Sequence, residues 1–371
     1  MISYGRHSIN DADVESVVSA LKSDWLTTGP KVEEFESLLQ SVVGAPTVSV
    51  SSGTAALHSA YAAIGIEPGD EVITPPITFI ATQATAVFLG AKIVFADVLS
   101  ENANIDPEAV EAAITNKTKA IVAVDYAGHP ANLDELRVIA DKYSVYLIED
   151  ASHSLGSTYK GSPVGSIADL TTFSFFPTKN LTTGEGGAVS STNPDLLEKV
   201  RKFSRQGLVR DPNSFINKHE GPWHQEIHHF GLNYRLPDIL CALGISQLSR
   251  LSDFKKRRRE IFEIYTNKLS STLQVQTPSE KDYVNANWHL FPVRVPKNER
   301  HELYTRLREN GILAQVNYFP VHLHPVFSSQ GFKRGDFPVA EEFYDSEISL
   351  PMHVELSNSD IDFVCKIIAS A

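Results

Sequence analysis

Tyr146-Leu147-Ile148-Glu149-Asp150 is an apolar run closed by two acids, and the fold follows from how it is read. A short run of this kind, buried on both faces, is a strand of a parallel sheet, and its acidic carboxyl end falls where open α/β sheets present their ligands. Upstream the pattern recurs at Thr47 to Ser51, Glu71 to Thr74, Lys92 to Asp97 and Ala120 to Asp125, with Val145 to Asp150 as the full extent of the fifth run. Such runs alternating with helices predict an α/β fold with a mostly parallel sheet covered on both faces. The first helix is expected over Asp11 to Lys22, where Val14, Val17, Val18 and Leu21 recur at helical spacing behind Asn10 or Asp11 as the cap. Downstream, Leu170 to Phe175 and Gly187 to Ser190 read as strands around a loop carrying Lys179. A second region opens with the basic helix around Lys255-Lys256-Arg257-Arg258-Arg259 and holds strand candidates at His289 to Val295 and Leu313 to Val316. That basic run reads as the solvated face of a connecting helix, with a grip on a diphosphate as the alternative. The predicted organisation is a large domain over 1–248 and a smaller C-terminal α+β domain over 249–371.

With 371 residues, 42% of them hydrophobic and 21% charged, the chain can bury enough apolar surface to fold throughout. A formal charge of −12 argues against a nucleic-acid partner, because phosphate backbones demand an excess of Lys and Arg. Cys241 and Cys365 are the only cysteines and have neither a disulfide framework nor metal-site spacing. His322 and His324, with His228 and His229, lack a further ligand at a suitable spacing, so no metal is expected. No stretch has the length of a membrane span, and no apolar segment follows a basic start at Met1 to His7, so a cytoplasmic location with no membrane partner is expected.

Three segments carry chemistry. Ser51-Ser52-Gly53-Thr54-Ala55-Ala56-Leu57 is a strand end that opens a helix, where free N–H groups and the helix dipole make an anion site and Gly53 admits a phosphate. Asp150 stands at a strand's carboxyl end, where a carboxylate can hold a pyridinium nitrogen protonated. Phe173-Ser174-Phe175-Phe176-Pro177-Thr178-Lys179-Asn180, followed by Gly184-Glu185-Gly186-Gly187, sets a lysine among aromatic bulk and close-packed glycines, where a lowered pKa would make its amine a nucleophile. Each alone has a plainer reading: a capped helix, a capping aspartate, a surface lysine. Val189 stands where a dinucleotide fingerprint would need its third glycine.

Asp150-Ala151-Ser152-His153-Ser154-Leu155-Gly156, the Ser174 to Lys179 segment with its glycines, and Gly231-Leu232-Asn233-Tyr234-Arg235 together resemble the DegT/DnrJ/EryC1/StrS family of sugar aminotransferases. The motifs stand in the family's order, and the likeness runs from Trp25-Leu26-Thr27-Thr28-Gly29-Pro30 to Ser349-Leu350-Pro351. Within the family, Val124-Asp125-Tyr126-Ala127-Gly128, Gln315-Val316-Asn317-Tyr318, Pro320-Val321-His322-Leu323 and Gly335 to Glu341 look most like the branch serving pseudaminic acid biosynthesis. One departure is Phe176-Pro177-Thr178-Lys179, where such relatives often carry His-Pro-Val-Lys or His-Ala-Ile-Lys.

The resemblance implies the aspartate aminotransferase fold (fold type I) and pyridoxal 5'-phosphate as cofactor. It gives Lys179 the covalent hold on the cofactor and the proton transfer, and pairs Asp150 with the ring nitrogen. His153 would contact the ring hydroxyl, with a satisfied helix-start histidine as the alternative. Phe79 would stack on the ring, although by composition alone it would be core. Gly53, Thr54 and Ser174 would hold the phosphate, and Asn233 would reach it from the neighbouring subunit of a homodimer with shared sites. Substrate contacts would come from Thr27, Thr28, Arg235, Tyr318 and His322. The implied reaction moves an amino group from glutamate to UDP-2-acetamido-2,6-dideoxy-β-L-arabino-hexos-4-ulose, giving UDP-4-amino-4,6-dideoxy-N-acetyl-β-L-altrosamine. The alternatives are another nucleotide keto sugar of perosamine or bacillosamine type, or a cofactor-binding sensor without turnover. The family's sugar dehydratases, which carry histidine in place of the lysine, are disfavoured by Lys179.

Overall fold

The computed structural model describes residues 1–218, 220–272 and 274–370. Seven strands form the main sheet: β1 (Thr47–Val50), β2 (Glu71–Thr74), β3 (Lys92–Phe95), β4 (Thr118–Val124), β5 (Tyr146–Asp150), β6 (Leu170–Ser174) and β7 (Gly187–Ser190). Their order is β1-β7-β6-β5-β4-β2-β3. All pairings are parallel except those of β7, which runs antiparallel to both β1 and β6. The two outer faces are covered, so β1 and β2 are buried at every position and β4 from Ala120 onward. This is why these strands read as continuous apolar runs and not as alternating ones.

The expected first helix forms over Asp11–Leu21, with Asn10 capping it: its side chain accepts from the Asp13 N–H, and the Asp13 side chain bonds back to the Asn10 N–H. The helix Asp238–Leu248 ends where the basic helix Leu251–Leu269 begins. Beyond it, β8 (Phe291–Arg294) pairs antiparallel with β9 (Glu347–Leu350), flanked by the helices Lys297–Glu309, Pro338–Ser346 and Asn358–Ala369. One apolar cluster runs from Ile121 and Leu147 of the main sheet to Tyr265, Phe291 and Leu350.

Leu313 to Val316, expected as a strand, is not one. Gln315 makes an isolated bridge to Ser349, Leu313 N–H goes instead to the Ile2 carbonyl, and the Asn317 N–H turns to the Glu347 carboxylate at 2.9 Å. The segment divides its hydrogen bonds between Ile2 and Ser349, and the next N–H, of Asn317, turns away to Glu347, so no continuous ladder can form. Within the basic run, Arg258 is buried and donates to the Trp288 and Met352 carbonyls, Arg259 pairs with Glu280 and Lys255 donates to the Gly156 carbonyl. These bonds spend the run on holding the helix in place.

Candidate active site

The carboxyl ends of β1, β5 and β6 open into a cavity of about 490 Å³ lined by Gly53, Thr54, Phe79, Asp150, His153, Ser174, Lys179 and Tyr318 among others. A wider opening of about 760 Å³ between Arg294, Arg334 and Asp345 is self-neutralised, with Asp345 already paired to Lys297 and Arg334. The smaller cavity holds the groups that remain chemically available.

At one end of the cavity, the helix Gly53–Ala63 begins. Ser52 caps it by accepting from the Ala55 N–H at 3.0 Å, and Ala56 N–H goes to the Ser52 carbonyl. The N–H groups of Gly53 and Thr54, and the hydroxyls of Thr54 and Ser174, have no partner among the described residues. A Cβ on Gly53 would sit 2.8 Å from that of Ser174, and one on Gly187 would meet the Ser52 carbonyl oxygen at 2.5 Å. The glycines thus let strand, loop and helix start close on one another, leaving unpaired donors at a positive helix end.

Asp150 closes β5. One of its oxygens accepts from Thr82 Oγ1 at 2.8 Å, the other from the Ser152 hydroxyl at 2.6 Å and the Ser152 N–H at 3.2 Å. Glu149, one residue earlier, points to the opposite face as strand geometry requires, is buried, and accepts from Thr171 Oγ1 at 2.8 Å. Burial pushes it up to about 7.

The loop after β6 presents Lys179. Lys179 N–H bonds to the Phe176 carbonyl and Thr183 N–H to that of Phe175, while the Asn180 amide ties the loop to the His153 and Asn287 carbonyls at 3.1 and 2.7 Å. Burial lowers the Lys179 ammonium to about 8, against an upward pull from Asp150. His153 is pushed well below its usual value by burial and then by Lys179. Its Nε2 lies 3.2 Å from the Tyr318 hydroxyl, and its ring is 4.4 Å from that of His289. Phe79 is 60% exposed, held edge-on to Tyr318 at 6.4 Å, so it is a cavity wall and not core.

Five sequence candidates fall outside this lining. His322 is fully buried, bonded through Nε2 to Glu341 at 3.0 Å and packed on Phe337 and Phe95. This corrects its assignment as a substrate contact, because no face of the ring is left for a ligand. Thr27 and Thr28 are exposed on a loop anchored where Asp238 accepts the Gly29 and Lys31 N–H groups at 2.8 and 3.0 Å. Asn233 is exposed and bridges Arg205, while Arg235 donates to Gln206 at 3.1 Å. Within one chain these four do not reach the cavity.

Conversely, Tyr4, Thr82, Phe176, Glu185, His289 and Asn317 line the cavity without having been picked out as site residues. Asn317 and His289 sit inside segments already noted, but Tyr4 carries no local signal, since a lone tyrosine before a helix reads as packing.

Residues 7–369 match the model of the DegT/DnrJ/EryC1/StrS aminotransferase family. The chain is similar to the spore coat polysaccharide biosynthesis protein SpsC of Bacillus subtilis, 39% identical over 97% of this chain and 94% of that one. It is 38% identical to the UDP-4-amino-4,6-dideoxy-N-acetyl-beta-L-altrosamine transaminase of Campylobacter jejuni, over 98% of this chain and 96% of that protein. The Streptococcus pneumoniae protein Spr1654, solved in a PLP form, superposes with a TM-score of 0.93 at 31% identity, covering 100% of this chain and 98% of that one.

Proposed function

Because the chain belongs to the DegT/DnrJ/EryC1/StrS aminotransferase family, and so is a pyridoxal-phosphate-dependent transferase acting on a nucleotide-linked keto sugar and an amino donor, we propose that it carries the amino group of glutamate to the C4 ketone of UDP-2-acetamido-2,6-dideoxy-β-L-arabino-hexos-4-ulose. The product is then UDP-4-amino-4,6-dideoxy-N-acetyl-β-L-altrosamine, the pseudaminic acid precursor. The observation that carries the reaction type is one cavity holding Lys179, Asp150 and the unpaired start of the Gly53 helix. The choice of sugar is supported by the extended likeness to the C. jejuni transaminase.

The residues present suit the cofactor. The free N–H groups of Gly53 and Thr54, with the Thr54 and Ser174 hydroxyls, receive a phosphate dianion. Asp150 would offer a carboxylate to a protonated ring nitrogen, His153 would contact the ring hydroxyl, and Phe79 would offer a flat apolar wall, all three being on the cavity lining. When bound, pyridoxal phosphate supplies an electrophilic carbon and a ring that takes up an electron pair. Lys179 Nζ holds it between turnovers. Once released, Nζ would move one proton within each half of the cycle, off the Cα of glutamate and onto the cofactor carbon in the first, and off the cofactor carbon and onto C4 of the sugar in the second. A lysine near 8 can do both close to neutral pH. The two substrates use the site in turn, so ping-pong kinetics are expected.

The sign of the Lys179 shift makes a test. The neutral amine is the reactive form and reaches half its population at about 8, so capture of the cofactor by cofactor-free protein should accelerate as pH rises toward that value and level off above it. Stopped-flow absorbance would read this. A rate already flat well below about pH 8 would mean that Lys179 is not the titrating nucleophile. The sugar is tested by incubating the protein with glutamate and a panel of UDP-, dTDP- and GDP-linked 4-keto sugars and identifying products by NMR. Turnover confined to a perosamine or bacillosamine precursor would replace the sugar named above.

Asn233 is assigned to the phosphate of a neighbouring copy in a homodimer. Support comes from its exposure and from the apolar Ile216, Trp223 and Phe230 earlier in the same segment, 79%, 77% and 98% exposed, a surface that calls for cover. Arg235, Thr27 and Thr28 would join the site in the same way. In a shared-site dimer, Lys179→Ala and a bulky Asn233 replacement are each inactive, but a mixed dimer has one site with both lesions and one with neither. Activity should return when differentially tagged mixed dimers are isolated. Isolated mixed dimers without activity would show that Asn233 serves its own chain.

A further inference from the structure

Tyr4 is brought to the cavity wall from a segment that belongs to neither sheet. The Ile2 N–H bonds to the Gly311 carbonyl, Leu313 N–H to that of Ile2, and Met352 N–H to that of Tyr4. One residue on, Gly5 closes on the lysine loop, where an added Cβ would lie 3.1 Å from Thr178 Cγ2. The phenol therefore stands between the C-terminal region and the loop of Lys179.

Its hydrogen-bond polarity is set from behind. The Asn317 amide spends its two hydrogens on Tyr4 Oη and on Ser349 Oγ, the latter at 3.1 Å. Ser349 donates to Glu347, and Glu347 also accepts the Asn317 N–H at 2.9 Å. The Asn317 carbonyl accepts from Tyr126 Oη at 2.5 Å. Above about pH 8, where Glu347 is ionised and can only accept, Ser349 and the Asn317 N–H donate to it, the Asn317 side-chain amide donates to Ser349 and to Tyr4, and Tyr4 Oη is an acceptor within the chain. Its own hydrogen has no acceptor among the described residues. Burial, with Tyr318 and Glu347 beside it, raises the phenol well above its usual value, so that hydrogen stays in place.

We propose that Tyr4 donates this hydrogen bond to a neutral oxygen of the sugar substrate, a hydroxyl or an amide carbonyl. The inference rests on the sugar-aminating reading above and adds to it the group that distinguishes sugar from amino donor. Among the described residues of one chain, Lys179 is the one lysine or arginine on the cavity wall; a glutamate carboxylate calls for a charged partner such as the Arg235 proposed to enter from the neighbouring copy, whereas an uncharged phenol suits an uncharged oxygen.

The test uses Tyr4→Phe, which removes one oxygen and leaves the Asn317 amide its bond to Ser349. Parent and variant are compared as holoenzymes at about pH 9, above the value of about 8 to which burial pushes Glu347. The substrate is whichever nucleotide keto sugar the parent aminates, so failure of the sugar named above shows in the parent and does not confuse the comparison. Affinity for the aminated product, by calorimetry, and KM for the keto sugar should each weaken about 3- to 10-fold, the effect of one neutral hydrogen bond. The glutamate half-reaction, in single turnover, should stay within about 2-fold of the parent. Sugar affinity unchanged by the substitution, or both half-reactions slowed together, would overturn the assignment.

Discussion

Lys179→Ala should lower amino transfer by roughly four orders of magnitude, since it removes the amine proposed to be both the nucleophile and the general base. Among the described residues of the chain no other lysine or arginine lines the cavity, so no neighbouring amine of the same chain can substitute. The fold should survive, because the loop is held by the Asn180 amide and the Phe175 and Phe176 carbonyls and not by the lysine side chain. Cofactor should still dock, since the Gly53 and Thr54 N–H groups and the Ser174 hydroxyl are untouched, but after borohydride reduction only the parent should retain it through denaturing gel filtration, because the variant has no lysine amine there to tether it covalently. Single-turnover absorbance with glutamate reads the first half-reaction. A variant converting glutamate at the parental rate would show that another group moves the proton.

Asp150→Asn should cost both half-reactions roughly two to four orders of magnitude while leaving stability little changed. The substitution keeps shape, and the Thr82 hydroxyl that donates to one oxygen at 2.8 Å can turn to accept from an amide. Only the charge proposed to face the ring nitrogen is lost. Glu149→Gln is the matching control. Glu149 is the adjacent acid, faces away from the cavity, and is raised to about 7 by burial, so near neutrality it spends much of its time as a neutral carboxyl that glutamine imitates. Turnover of that variant should stay within a few-fold of the parent. Equal damage from the two substitutions would mean that the sheet end, and not the Asp150 charge, is what the reaction needs.

What could be read from the sequence was whatever a local period or a short motif encodes. The strands ending at Val50, Thr74, Phe95, Val124 and Asp150 were visible because burial on both faces leaves an apolar run with a sharp end. Lys179 and Gly53 were visible because a lysine flanked by aromatics and glycines, and a Ser-Gly-Thr helix start, are contiguous in the chain. Tertiary structure decided the rest, because the other contacts join residues far apart in sequence. Tyr318 and His322 are four residues apart and looked alike as substrate contacts, yet one lines the cavity and the other is sealed against Glu341 and Phe337. Leu313 to Val316 has the composition of a strand, but its hydrogen bonds go to Ile2 and then to Ser349, and the next N–H, of Asn317, goes to Glu347. Tyr4 has no motif at all. It enters the site because the first five residues are stitched to Gly311, Leu313 and Met352, and its donor polarity comes from a relay through Asn317 and Ser349 to Glu347. Periodicity records which face of an element is buried, whereas the partner against which it is buried, and the direction of each hydrogen bond made there, exist only once the chain has closed on itself.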